Sequence, residues 1–198
     1  MIRSRAQLSA ARSIVGVARS LREAGLARTG GNVSALIRPG EFLITPTGYA
    51  VDRLGRIRAR DLIQVAVDRP CPPRASVEAP VHAAVYAQLD GIGGVCHAHP
   101  PASLALGDPA DWPRATESSR KLGPVHVATS QSGADLAREV RELLRAPGGA
   151  VTGHYGFSLM VPGHGLFTAA RSVERALYLL FRIEENASVV LLGRRLAG

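Results

Sequence analysis

The segment Gly93-Gly94-Val95-Cys96-His97-Ala98-His99, stopped by Pro100-Pro101, constrains this chain more than any other. It reads as a short strand, and two successive prolines end it because neither can donate to a ladder. Residues i and i+2 of a strand project to one face, so His97 and His99 present their imidazoles side by side. Two imidazoles so placed can share a metal ion. The pair is also compatible with a half-exposed polar face, and spacing alone does not choose between the two. His164 weighs toward the ion, because it lies between Gly163 and Gly165 at a predicted turn where a backbone can come close to a ligand. A third ligand from a distant segment suits a catalytic site that keeps a position open for substrate.

Around this strand the pattern predicts helices at both ends of the chain and strands between them. Leu8, Ala11, Ile14, Val15, Ala18 and Leu21 recur at helical spacing before Gly25. Val33 to Ile37 and Glu41 to Thr45 read as a hairpin, and Asp61 to Val67 as a short strand or helix end. Ser76 is placed to cap a helix over Val77 to Leu89, with Val81, Val85 and Leu89 on one face. Ala102 to Leu106 reads as a short helix and Val125 to Ala128 as a strand. Ser132 caps a predicted helix from Ala134 to Arg145. Ala150 to Val161 and Leu166 to Ala169 form a predicted hairpin, and the last helix runs from about Val173 to Leu192 behind a Ser172 cap. Such an order predicts one α/β layered domain over residues 1–198, with a mostly antiparallel or mixed sheet.

The formal charge of +8 raises the question of nucleic acid. The arginines are scattered rather than clustered, Lys121 is the only lysine, and no helix-turn-helix, RNP or zinc-finger spacing accompanies them. No apolar run approaches the roughly 18 residues of a membrane span. Cys71 and Cys96 stand far apart, in no ligand spacing and no disulfide framework. The expectation is a cytoplasmic protein with neither nucleic acid nor membrane as partner, attracted mildly to anionic substrates.

Two further groups attend the histidines. Glu78 is predicted in the first turn of the helix that precedes the His97 strand. There a carboxylate is commonly only a dipole partner, but beside a metal it is a general acid/base, or a ligand that steps aside. Asn32, Thr47, Gly48 and Ser76 lie in turn-rich segments. They are equally plain turn residues or, with a backbone nest, the cradle of a small anion. No nucleotide fingerprint is present.

Five ordered blocks carry a resemblance. They are Gly31-Asn32-Val33-Ser34, Ile44-Thr45-Pro46-Thr47-Gly48, Ser76-Val77-Glu78 with His82 and Tyr86, His97-Ala98-His99-Pro100, and His164-Gly165 before Ser172-Val173-Glu174-Arg175-Ala176. In order and spacing, from about residue 7 to 193, the chain resembles the class II aldolase/adducin family, which includes L-fuculose-phosphate aldolase. The resemblance implies a three-layer α/β/α fold with a central mixed, mainly antiparallel sheet, in homotetramers with active sites at subunit interfaces. It implies a divalent ion, Zn2+ with Mn2+, Co2+ or Fe2+ as alternatives, on His97, His99 and His164. His154 fits the spacing to the Ala176 helix less well and is expected to be peripheral. Glu78 matches the family's proton carrier, and Asn32, Thr47, Gly48 and Ser76 match positions that hold a substrate phosphate. Val77 stands where phosphate-binding members have a second serine. Glu117 falls near a position filled in the aldolase by a tyrosine from the neighbouring subunit, and the resemblance implies a catalytic role for it, orienting substrate or contributing a proton. The sequence ends at Gly198 without the C-terminal tyrosine of the aldolase and epimerase, which weighs against an epimerase.

The expected reaction is reversible retro-aldol cleavage of a small ketose phosphate or similar hydroxy-carbonyl compound through a metal-stabilised enediolate. Lys121 beside Arg120 is a poor candidate for a Schiff base. The same chemical core supports decarboxylation of a 3-oxo acid or dehydration of a sugar phosphate. Adducin-like relatives keep the fold as a non-catalytic oligomeric module and lose the ligands, whereas here the three histidines and Glu78 are all present.

Overall fold

The computed structural model describes residues 4–28, 30–48, 55–107, 112–113, 115–146 and 155–197. His154 and the first residues of the strand predicted from Ala150 lie outside them. Helix α1 (Arg5–Glu23) begins at a capping box in which the Ser4 hydroxyl accepts from the Gln7 N–H and the Gln7 side chain accepts from the Ser4 N–H. Strands β1 (Gly31–Arg38), β2 (Glu41–Ile44) and β3 (Ile63–Ala66) follow, then α2 (Ala79–Gln88), β4 (Gly94–Ala98) and the short α3 (Pro101–Leu106). The second half holds β5 (His126–Val127), α4 (Gly133–Arg145), β6 (Phe157–Val161), β7 (Gly165–Ala170) and α5 (Val173–Ala197).

All seven strands join one sheet in the order β3-β2-β1-β4-β7-β6-β5. Every pairing is antiparallel except that of β5 with β6. Side chains alternate across this sheet and define two apolar layers. Cys96, Met160 and Leu166 face a core shared with α1 and α5, including Ile14, Leu21, Leu180 and Ile183. Val95, Leu159 and Phe167 face the opposite way, onto Val81, Val85, Leu136 and Val140 of α2 and α4. The result is the expected α/β/α sandwich, with β4 and β7 at its centre and every residue of both strands buried.

The structure departs from the sequence pattern in instructive places. The buried face of α1 is Ala10, Ala11, Ile14, Val17, Ala18 and Leu21, while Leu8 is 47% exposed. Helix α2 starts two residues later than predicted, because Pro80 suits only a first turn and Glu78 takes the N-cap position. Ser76 therefore does not cap it; its hydroxyl accepts from the Glu78 N–H at 3.3 Å. Helix α2 is buried on nearly all sides, including His82 at its middle, since it packs both on the sheet and closely against α4. Strand β5 shrinks to two residues and α5 runs on to Ala197.

One buried carboxylate ties the outer layer together. Glu184 of α5 accepts from the Ala102 N–H, the Ser103 N–H and the Ser103 hydroxyl at 2.7–2.8 Å, so it caps α3 from another element. Glu184→Ala is expected to lower stability by about 2–3 kcal/mol, the size of charge-assisted hydrogen bonds lost in the interior. Chemical denaturation would read the change, with Glu184→Gln losing less.

Candidate metal centre

The site forms where three segments meet. In the β1–β4 ladder Asn32 lies opposite His97, and on the other side His97 lies opposite Phe167 of β7. His99 continues β4 on the same face, and its own N–H is held by the Leu26 carbonyl at 2.9 Å. The β6–β7 turn brings in His164, and the N-terminus of α2 brings in Glu78. A cleft of about 300 Å³ is lined by Asn32, Thr47, Gly48, Ser76, Glu78, His97, His99 and His164, together with Gly30, Gly31, Pro46 and Val77. Eight of the nine site residues singled out by sequence thus converge. Glu117 does not: it is exposed and borders a separate cleft with Lys121, Tyr155 and Arg182.

The histidine rings are oriented from behind. The Nδ1–H of His97 donates to the Leu166 carbonyl at 3.2 Å, and that of His164 to the Gln131 carbonyl at 2.6 Å. The His97 ring stacks on Phe167, with centroids 4.0 Å apart. Each of these bonds fixes the tautomer and turns Nε2 inward, the arrangement that outer partners impose on metal-binding imidazoles. The His97 and His99 Nε2 atoms stand 3.2 Å apart, and one nitrogen from each of the three histidines lies within 4.8 Å of the others. Two nitrogens on a tetrahedral ion, each at about 2.05 Å, are about 3.3 Å apart, so the spacing fits.

The donor chemistry fits as well. Glu78 Oε2 is 3.3 Å from His97 Nε2, and Oε1 is 3.1 Å from His164 Nε2. With both Nδ1 atoms committed as donors, lone pairs of nitrogen and oxygen face one another, and such a cluster is stable only around positive charge. A proton on His164 would supply it, and so would a bound cation. Burial drives His97 down to about 3, against the opposing pull of Glu78, so it stays a neutral ligand. Burial also lowers His99. The hydrogen bond to Glu78 raises His164 despite its partial burial. Burial would raise the Glu78 carboxyl, but its contact with the His97 edge of the site and its hydrogen bonds with His164 and Asn32 outweigh that and hold it below the usual carboxylate range.

Gly165 makes this convergence sterically feasible. A Cβ there would lie 2.6 Å from His97 Cε1 and 2.8 Å from His99 Cδ2. At Gly163, on the other side of His164, a Cβ would meet open space. Sequence reasoning also left Gln131, Phe167 and the Leu166 carbonyl out of the site, because their roles arise from pairing and packing alone. Among the described lining residues none is lysine or arginine.

Two outcomes follow from this geometry. Gly165→Ala should weaken Zn2+ binding by about tenfold or more, read by competition with a chromogenic chelator. Metal binding should release a proton from His164, and affinity should begin to fall at a pH above that at which a free imidazole protonates, because His164 is raised while His97 and His99 are lowered. Calorimetry in buffers of different ionisation enthalpy counts that proton.

The comparisons with known proteins agree with the fold. L-fuculose-1-phosphate aldolase from Thermus thermophilus superposes with a TM-score of 0.77 at 26% identity, covering 97% of this chain and 98% of its own. YgbL from Klebsiella pneumoniae, whose candidate activities are aldolase, epimerase and decarboxylase, gives 0.78 at 24%, covering 94% and 90%. L-fuculose 1-phosphate aldolase from Glaciozyma antarctica PI12 gives 0.74 at 18%, covering 99% and 78%, and shows the fold alone. No curated protein matches the chain. The model of the class II aldolase and adducin N-terminal domain matches residues 12–191. The chain therefore belongs to the class II aldolase and adducin N-terminal domain family.

Proposed function

We propose that this protein is a divalent-metal-dependent aldolase that cleaves a small ketose phosphate reversibly. The observation that carries the reading is the meeting of three inward-facing imidazoles with a buried carboxylate in one open cleft. His97, His99 and His164 would hold the ion, with Zn2+ favoured by an all-imidazole set. When bound, the ion acts as a Lewis acid that stabilises negative charge developing on a substrate oxygen. Glu78 works at the substrate carbon. In cleavage the hydroxyl of the aldehyde half gives up its proton as the carbon–carbon bond breaks, and the bond's electrons pass to the carbonyl to give an enediolate. Glu78, ionised at rest, takes up that proton and delivers it to the carbon. In condensation the carboxylate removes it again. Its two contacts to the histidines would keep it beside a bound ion and within reach of a substrate there.

Asn32, Thr47, Gly48 and Ser76 line the same cleft and are assigned to the substrate's anionic group through neutral donors. Gly48 adopts a φ of +70°, which turns the backbone at the mouth of the cleft. Val77 is 69% exposed at that mouth and offers no hydroxyl. This favours as a second reading the decarboxylation of a 3-oxo acid, whose enolate product asks the same chemistry of the site. Glu117 lies away from the histidines within one chain, so its catalytic assignment is carried only by a neighbouring copy in a homotetramer with shared sites.

Purified protein should hold about one Zn2+ per subunit, lost in His97→Ala and His164→Ala. A panel of ketose 1-phosphates headed by L-fuculose 1-phosphate, run beside 3-oxo acids, separates aldehyde release from carbon dioxide release. Aldehyde release supports the aldolase and carbon dioxide alone replaces it with the decarboxylase. Glu78→Gln should keep the metal and lose at least about 10²-fold in kcat; an active Glu78→Gln enzyme removes the proton-transfer assignment.

A further inference from the structure

Behind Glu78 runs a line of buried polar side chains. Asn32 Nδ2 donates to Glu78 Oε2 at 2.5 Å, and Asn32 Oδ1 lies 2.6 Å from His82 Nε2. His82 Nδ1 lies 2.7 Å from the Ser34 hydroxyl, which lies 2.9 Å from the Tyr86 hydroxyl. Ser34 and His82 are fully buried, and Asn32 and Glu78 nearly so. Ser34 and Asn32 project from one face of β1, and His82 and Tyr86 are one helical turn apart on α2, so packing of that helix on that strand assembles the line. Apolar rings close it off: Tyr86 meets Phe42 at 5.0 Å and His82 meets Phe167 at 6.0 Å, edge to face.

Donor and acceptor roles along this line follow from its carboxylate end. An ionised Glu78 can only accept, so the Asn32 amide must turn its NH2 toward it and its oxygen toward His82. His82 Nε2 must then carry a hydrogen. Burial pushes His82 down to about 4, against Glu78, so the ring is neutral and Nδ1 is a bare acceptor. Ser34 therefore donates to Nδ1 and accepts from Tyr86. Each member has one arrangement that satisfies it, and a reversed amide would set oxygen against carboxylate in a low-dielectric interior.

We infer that Tyr86, Ser34 and His82 are positioning residues for Glu78: a one-way chain of hydrogen bonds that locks the Asn32 amide, commits Oε2 to anchoring the carboxylate and leaves Oε1 to carry the proton. Oε1 is the oxygen that faces His164, on the cleft side of the group. The inference rests on Glu78 as the acid/base of the proposed reaction. It adds that the two carboxylate oxygens are not equivalent and that residues out of substrate's reach make them so.

The test begins with the unmodified protein labelled with 15N at histidine. Its spectrum should show His82 as a neutral ring protonated at Nε2 and accepting at Nδ1, from neutral pH down to about pH 5. An Nδ1–H tautomer or an imidazolium in that range overturns the chain of donors. Ser34→Ala should mix the His82 tautomers and lower kcat about tenfold, with KM and Zn2+ content changed by less than about twofold. Ser34→Thr, which restores the hydroxyl, should recover most of kcat. Unchanged kcat in Ser34→Ala, or a Ser34→Thr variant as slow as Ser34→Ala with the same melting temperature as the unmodified protein, overturns the positioning role. If no compound of the panel is turned over, the aldolase reading falls, and the labelled spectrum still decides the direction of the chain.

Discussion

A carboxylate held ionised inside a protein must be compensated from several directions at once, and Glu78 is compensated from every layer around it. The N-terminus of α2 lies behind it, Asn32 of β1 donates to one oxygen, and His97 of β4 and His164 of the β6–β7 turn lie against the two oxygens. Removing any of these segments would leave a charge uncompensated in the interior, which proteins tolerate poorly. The positions of α2, β1, β4 and the turn are thus mutually dependent, and the sandwich is organised about the point where they meet. Centrality of β4 and β7 follows the same logic. Strands that must hold imidazoles to within a few tenths of an ångström are the ones paired on both edges and covered on both faces.

Much of this was legible in the chain before any coordinates. Strand parity placed His97 and His99 on one face, and the glycine-flanked turn marked His164 as a residue presented at close quarters. Layer order could be read because helical and strand periodicities alternate cleanly along the chain. Leu8 shows where such reading slips: a leucine in phase by inspection falls just off a stripe set by Ala10, Ile14, Val17 and Leu21. The start of α2 slipped for a different reason. Ser76 and Pro80 both announce a helix start, and the proline prevails because its ring fixes the backbone, whereas a serine has other bonds to make.

What stayed hidden is what tertiary packing alone creates. His82 and Ser34 are separated by 48 residues, and neither looks unusual in its own element. A histidine within an apolar helix reads as a packed core residue, and a serine within a strand as a neutral one. Only the seating of α2 on β1 turns them into neighbours. The Gln131 and Leu166 carbonyls belong to the same class, since any residue type supplies a carbonyl. Glu117 is the converse case, a residue marked by likeness that the single chain leaves apart from the histidines.

The borders of the sheet limit the ways in which copies of this protein could associate. β5 contributes two residues and β3 four, so each rim offers only a brief run of open backbone. Short rims are poor templates for strand addition, and they guard the sheet against growing sideways into fibres. Any ordered assembly of subunits is therefore directed away from sheet extension and onto helices and loops. Those are the surfaces where side chains rather than main-chain groups choose the partner, and where a second subunit can lend a residue to a cleft without disturbing the strands that hold the imidazoles.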